Sequence, residues 1–300
     1  MAAKIPFVRD MQFDYGVPQQ VSPLIRRVVA HNPGPFTYLG TGVYIIGHGD
    51  VAVIDPGPDQ PGHLDVLLKA VEGERVTHIF VTHGHMDHSP AARPLAKATG
   101  ATIYAAGGEP IPTESDVRME AGDDLEFRPD VDLADGDVVR GAGWTIRAVF
   151  TPGHTSHHVA YALEEEAALF SGDHIMGWST TVISPPDGDM AAYMASLEKV
   201  RDGGYATLWP THGPPIDRDV QGFVQSYIDH RMGREAQILA RLADGPATIR
   251  ALVPQLYADV DARLHPAACH SVLAHMIRMV GDGRVRANAP LEIDTVYARV

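Results

Sequence analysis

Four side chains able to hold a metal fall within six residues of this chain: His83, His85, Asp87 and His88, in the run Thr82-His83-Gly84-His85-Met86-Asp87-His88. The run closes a compact β-branched segment, residues 76–82, and leads into Ser89-Pro90, which reads as the cap and first turn of a helix. Ligands crowded onto a turn at a strand's end converge around cations. Neutral imidazole suits zinc, iron and similar borderline metals, while the carboxylate adds charge and can orient water. Three later segments place another such residue just after a strand: Thr151-Pro152-Gly153-His154, Ser171-Gly172-Asp173 and Pro210-Thr211-His212-Gly213. One histidine after a strand is ordinarily a hydrogen-bonded loop residue, but four such segments in series point to a metal centre.

The pattern HxHxDH followed by separate His, Asp and His segments resembles the signature of the metallo-β-lactamase fold hydrolases, over roughly residues 35–215. The resemblance implies an α/β chain folded as an αβ/βα sandwich with its site at one edge of two sheets. It implies a first metal on His83, His85 and His154, a second on Asp87, His88 and His212, and Asp173 bridging the two. Two divalent cations about 3.5–4 Å apart can share a hydroxide, lower its pKa toward ~7 and polarise the group it attacks. Zinc is the expected metal, with iron or manganese as alternatives for the same donors. Asp87 carries a second expected role, orienting the nucleophile or passing its proton to the leaving group. Asp55, in the turn Asp55-Pro56-Gly57, resembles the family's buried aspartate behind a ligand histidine. His158 matches a histidine often found in the His154 segment, with a structural role and a site role both open. His174 is expected to point away if Asp173 points inward along a strand, and Ser156 has no triad around it.

His85 stands where the redox diiron members carry Glu, and Asp173 where zinc β-lactamases proper carry Cys or another residue, so neither branch is expected. The interval from Asp173 to His212 is too short for the domain inserted in the processing nucleases. Tyr227-Ile228-Asp229-His230-Arg231, Arg234-Glu235 and Ser171-Gly172-Asp173-His174-Ile175-Met176-Gly177 resemble the β-lactamase-like protein 2 group, which carries a winged-helix-like tail. The implied activity is dinuclear hydrolysis of an ester, thioester or related acyl substrate. The alternatives are a metal-dependent single-strand endoribonuclease, a mono-iron persulfide dioxygenase, and a binding protein that has lost catalysis. The complete ligand set argues against the last.

The 300 residues are 45% hydrophobic and 21% charged, ordinary globular usage with enough chain for a sizeable core. A net charge of −14 disfavours nonspecific contact with nucleic acid. From residue 216 to 300, 10 Arg and no Lys balance 10 acids, so the tail is neutral and DNA is not an expected partner. Arg284 and Arg286, on the expected wing, could touch a phosphate backbone but read first as surface arginines in a hairpin; RNA is an alternative partner through the resemblance to the β-lactamase-like protein 2 group, whose mitochondrial animal members act as single-strand endoribonucleases. One cysteine, Cys269, an opening without a signal peptide's apolar core, and no long apolar run together suggest a cytoplasmic protein without a membrane partner. A homodimer is compatible with all of this.

These motifs must be held by the elements around them. Residues 1–35 read as an irregular, Pro-rich arm of a domain spanning 1–215. Strand patterns fall at 37–46, 51–54, 76–82, 101–105, 144–150, 159–163, 167–170 and 206–209, and helix patterns at 63–71 and 190–200. The acidic stretch 114–137 is expected to be a solvated excursion. A long helix pattern at about 220–242 fills a connecting segment, 216–243. Helices at 248–257 and 266–280 and a closing hairpin make a small, mostly α winged-helix-like domain at 244–300. The arm and the loop 177–186 are expected to set specificity, with Trp178 as a pocket candidate.

Overall fold

In the segment Val159-Ala160-Tyr161-Ala162-Leu163 every residue is apolar and buried, the mark of a strand covered on both sides. The computed structural model describes residues 4–108, 111, 122–258, 261–288 and 290–300, and in it two such sheets face each other. The first contains β1 (Gln19–Gln20), β2 (Ile25–Val29), β3 (Gly42–Ile46), β4 (Asp50–Ile54), β5 (Arg75–Phe80), β6 (Thr102–Ala106) and β7 (Val131–Leu133), in chain order. Neighbours are antiparallel as far as β4 and parallel from β4 to β7. Helices α1 (His63–Ala70) and α2 (Ala92–Thr99) cover its outer face, where Leu67 and Leu95 meet Val43, Ile45, Val53 and Ile79.

The second sheet runs in the order β12 (Thr207–Pro210), β11 (Ala168–Gly172), β10 (Val159–Leu163), β9 (Trp144–Phe150), β8 (Val138–Gly141). Along β10 the pleat sends Tyr161 and Leu163 into the layer between the sheets, beside Tyr44, Phe80 and Trp144. Ala160 and Ala162 face the other way, into the layer shared with α3 (Met190–Arg201) and α4 (Val220–Leu242). The order of layers is therefore helix, sheet, sheet, helix, as the resemblance implied.

Several expectations need correction. The arm is not irregular throughout: residues 25–29 form β2, which pairs with β3 from Ile25↔Ile46 to Val29↔Gly42. Arg26 and Arg27 obscure its pattern, yet Arg27 is buried, donating to Gln19 Oε1 across the neighbouring strand. Ser89 is not a helix cap; α2 starts at Ala92, and the Ser89 hydroxyl bonds His85 O and Asp124 Oδ2 instead. In the acidic stretch, residues 114–121 lie outside the described residues, but the remainder supplies β7, and Asp123 and Asp124 turn inward to the site.

The tail holds β13 (Ala247–Thr248), α5 (Ile249–Leu256), α6 (His265–Gly281), β14 (Val285–Ala287) and β15 (Val296–Arg299), with the sheet order β13-β15-β14. The expected hairpin thus gains a third strand. Helix α4 serves both cores. Its buried positions Val220, Phe223, Val224, Tyr227, Ile228, Arg231, Glu235, Ile238 and Leu242 form one stripe at helical spacing. The apolar residues through Ile228 join the α3 layer, while Ile238 and Leu242 join Leu252, Met276 and Tyr297 in the tail. Among the described residues no helix is long and apolar enough to cross a membrane.

Between the two apolar stretches, Glu235 accepts Arg278 at 2.6 Å and His275 at 3.3 Å and pairs as an ion with Arg284 at 2.8 Å, with its side chain 1% exposed. Arg284, a candidate for phosphate contact, is thereby committed to α4 and to Asp282. Burial opposes the Glu235 charge, but His275, Arg278 and Arg284 outweigh it and hold its pKa at about 2. Breaking such a buried cluster leaves charges without partners, so Glu235→Gln should cost about 3 kcal/mol in denaturant unfolding. A depressed carboxylate contributes fully above its unfolded pKa, about 4.3, and the contribution disappears as the pH falls from there through about 2. The gap between wild type and variant should therefore narrow below pH ~4.3; a gap independent of pH down to ~2 would contradict this account.

Candidate metal centre

The site gathers at the carboxyl ends of strands, where side chains leave the sheets without blocking their ladders. Asp55 follows β4, the segment 82–88 follows β5, Asp173 follows β11 and His212 follows β12. The structure brings all seven predicted ligands together. Donor atoms of His83, His85 and His154 lie within 4.8 Å of one another, as do those of Asp87, His88 and His212, and those of His83, His88 and Asp173. Asp173 faces both sides: Oδ1 is 3.6 Å from His88 Nε2 and 3.5 Å from His212 Nε2, and Oδ2 is 3.9 Å from His154 Nε2. Among the described residues no other histidine joins these groups.

Each imidazole is aimed by what its other nitrogen touches. His88 Nδ1 donates to Asp55 Oδ2 at 2.9 Å, His154 Nδ1 to Val182 O at 2.8 Å, and His212 Nδ1 to Gly40 O at 3.2 Å. The Thr82 hydroxyl donates to Asp55 Oδ2 at 2.9 Å and lies 3.0 Å from His83 Nδ1, whose proton it accepts. His85 presents Nδ1 to His83 Nε2 at 2.9 Å and Nε2 to Asp123 Oδ1 at 3.5 Å. Asp55 also accepts the Thr82 N–H at 2.8 Å and the Thr211 hydroxyl at 2.7 Å, so one buried carboxylate orders two of the segments that carry predicted ligands, 82–88 and 211–212. Its expected supporting role is what the geometry displays, and the threonines preceding His83 and His212 are the mediators that sequence reading left without a role.

His158 belongs to the frame rather than to the ligand groups. Its Nε2 accepts the Asp173 N–H at 3.2 Å, and its Nδ1 lies 2.8 Å from Thr151 Oγ1. Burial, with His174 and His154 nearby, holds its pKa well below the ordinary value, so the ring is neutral and can accept. Gly172 makes this approach feasible: at φ +54°, a Cβ there would sit 2.5 Å from His158 Nε2. His174 lies against the Tyr193 ring, 5.0 Å between centroids, and joins no ligand group.

The chemistry of the donor set fits cations. Asp87 Oδ1, Asp173 Oδ1, His88 Nε2 and His212 Nε2 are buried and make no hydrogen bond among the described residues, a costly state for atoms with nothing to bind. Three carboxylates, Asp55, Asp87 and Asp173, are all at most 8% exposed. Burial opposes the Asp87 charge, but His88 and His212 hold its pKa at about 2; for Asp173, His212 and His88 likewise overcome burial and keep it well below the carboxylate range. His83 goes the other way: burial, then His88 and His85, push its pKa well down and leave it a neutral donor.

A cleft of about 440 Å³ opens over these atoms. His85, Asp87, His154 and Asp173 form its floor, Pro35, Phe36, Met176, Trp178 and Val182 its apolar wall, and Ser179 and Thr180 its polar edge. Trp178 therefore both lines the cleft and packs, stacked on Tyr38 at 4.6 Å. Ser156, whose N–H bonds Asp187, is not among the lining residues.

A family model described as the metallo-beta-lactamase superfamily matches residues 38–212, and one described as the beta-lactamase associated winged helix domain matches residues 248–290. A beta-lactamase-like protein 2 homolog of Caenorhabditis elegans is 34% identical over 272 residues, covering 89% of this chain and 88% of its own. An atrochrysone carboxyl ACP thioesterase of Aspergillus fumigatus is 31% identical over 282 residues, covering 86% and 82%. The crystal structure of a beta-lactamase domain protein from Burkholderia ambifaria superposes with a TM-score of 0.80 at 20% identity, covering 100% of this chain and 97% of that one.

Proposed function

Since this chain belongs to the metallo-beta-lactamase superfamily and is a metal-dependent hydrolase, we propose that it uses two divalent cations, zinc first among them, to cleave an acyl thioester. His83, His85 and His154 would hold one cation, Asp87, His88 and His212 the other, with Asp173 between them. The observation that carries this reading is the split of Asp173, one oxygen toward each group, beneath a cleft with an apolar wall. Bound there, the cations would supply a water acidified toward neutrality and a charge to polarise the acyl oxygen.

The chain's own residues do the rest. Phe36, Met176, Trp178 and Val182 receive the acyl group and exclude water from it. Asp87, ionised and with Oδ2 3.1 Å from His212 Nε2, aligns the attacking water and takes up its proton. Relatives named as acyl carrier protein thioesterases support the choice of thioester. The ribonuclease alternative came with the resemblance to the β-lactamase-like protein 2 group and leans on the tail for nucleic-acid contact, where Arg284 is occupied by Glu235 and Asp282. A cytoplasmic location accords with the one cysteine, Cys269, being buried as a thiol.

Metal-loaded protein should release thiol from acyl-pantetheine probes, and Asp87→Asn at equal metal content should be slower by about 10²-fold or more. Wild type that leaves every acyl thioester intact but cuts a labelled single-stranded RNA would replace this reading with the nuclease.

A further inference from the structure

We propose that Arg231 is a positioning residue for the metal centre, fixing from the long helix α4 the segment that aims His154 and Asp173. The inference rests on the two-cation reading above and concerns a residue that touches neither cleft nor ligand atom. Arg231 is 4% exposed, and no carboxylate pairs with it among the described residues. Burying a guanidinium without a counter-charge is costly, so its retention calls for a specific partner. That partner is a backbone carbonyl: Nη2 donates to Thr181 O at 2.6 Å, while the guanidinium lies 5.1 Å from the centre of the Tyr193 ring.

Thr181 is where the two sides of the centre are held together. Its hydroxyl reaches Asp173 O at 2.8 Å and His174 O at 3.0 Å, within the turn that presents the Asp173 carboxylate. The next carbonyl along the chain, Val182 O, receives His154 Nδ1 at 2.8 Å. Tyr193, beneath the guanidinium, donates to His174 O at 2.9 Å. One turn earlier on α4, the Tyr227 hydroxyl closes on Met176 and Ser179 of the same loop. His88 and His212 are aimed independently, by Asp55 and Gly40. Loss of Arg231 should therefore loosen the side of the centre that depends on His154 and leave the other side ordered.

Cation binding can be read without turnover, by titrating apo protein with Co²⁺ against a chromophoric chelator and recording the visible bands of the bound ion. Wild type should take two equivalents. Arg231→Met keeps most of the packing but leaves Thr181 O without its donor, so the apo variant should still fold, melting somewhat below the wild-type temperature. It should nevertheless hold one of the two equivalents roughly 10–100-fold more weakly, with altered cobalt bands, and Arg231→Lys should recover part of the loss. Two equivalents bound by Arg231→Met as tightly as by wild type, with superimposable spectra, would overturn the proposal. Thr181→Val, which leaves Arg231 in place, should weaken the same equivalent and decides the question if Arg231→Met does not fold. Wild type that binds no cation would instead overturn the two-cation reading and the positioning role with it.

Discussion

Asp55→Asn should unfold about 3 kcal/mol more easily than wild type and bind its cations at least ~10-fold more weakly, although Asp55 is fully buried and does not line the cleft over the centre. Its side chain accepts four protons: the Thr82 N–H on Oδ1, and the Thr82 hydroxyl, the Thr211 hydroxyl and His88 Nδ1–H on Oδ2. An amide has only one oxygen. Placed at Oδ2, that oxygen leaves an NH₂ facing the Thr82 N–H; placed at Oδ1, it leaves the NH₂ facing His88 Nδ1–H. In the second orientation His88 can escape only by moving its proton to Nε2, the atom meant for the cation. Asparagine is the informative replacement because residue 55 sits at φ +47°, a region asparagine tolerates as aspartate does. Backbone strain is thus held constant and the carboxylate alone is removed. Denaturant unfolding of the apo protein and a cation titration check the two halves separately; unchanged values in both would mean that Asp55 is only a turn residue.

The second large effect follows from the buried polar atoms themselves. Stripping the cations should reduce hydrolysis to background and lower the melting temperature by about 8–16 °C, taking a free cation concentration about 1,000 times its dissociation constant in the loaded state. That condition corresponds to about 4 kcal/mol of binding linkage, and each kcal/mol moves the midpoint of a domain this large by roughly 2–4 °C. The structural source is the set Asp87 Oδ1, Asp173 Oδ1, His88 Nε2 and His212 Nε2, none of which makes a hydrogen bond among the described residues. Thermal melts with and without a chelator, followed by reloading, provide the measurement. An identical melting temperature in stripped and reloaded protein would show that the cluster gains nothing from cations.

Much of the centre was legible because its predicted ligands are carried on short turns directly after apolar strands. Histidine and aspartate are conspicuous there, and their order along the chain survives folding. The supporting interactions were less visible for a physical reason. Thr82 and Thr211 act through hydroxyls that any loop threonine might expose, and they meet only because β4, β5 and β12 end together. Asp123 sits in a run of acids whose composition signals solvent, yet one of them reaches His85. Arg231 binds a backbone carbonyl 50 positions away, and a carbonyl has no residue type to read. In the fold, the strongly apolar strands declared themselves, while β2 was hidden by two arginines, one paired with Glu74 and the other buried. The short edge strands β1, β7 and β8 lack enough residues to establish a period.

The continuous α4 bears on how such a chain could be reassembled by recombination. The exposed turn Asp244-Gly245-Pro246 looks like a natural joint between modules. Yet the half ending there would carry Ile238 and Leu242 away from the core they complete, together with the Glu235 carboxylate that Arg278 and Arg284 require. A joint placed earlier in the helix would strand the opposite set, Phe223, Val224 and Tyr227. Neither half is therefore a portable cassette: the helix is common property, and the tail is inherited with the hydrolase or its counterpart must be rebuilt along that one shared face.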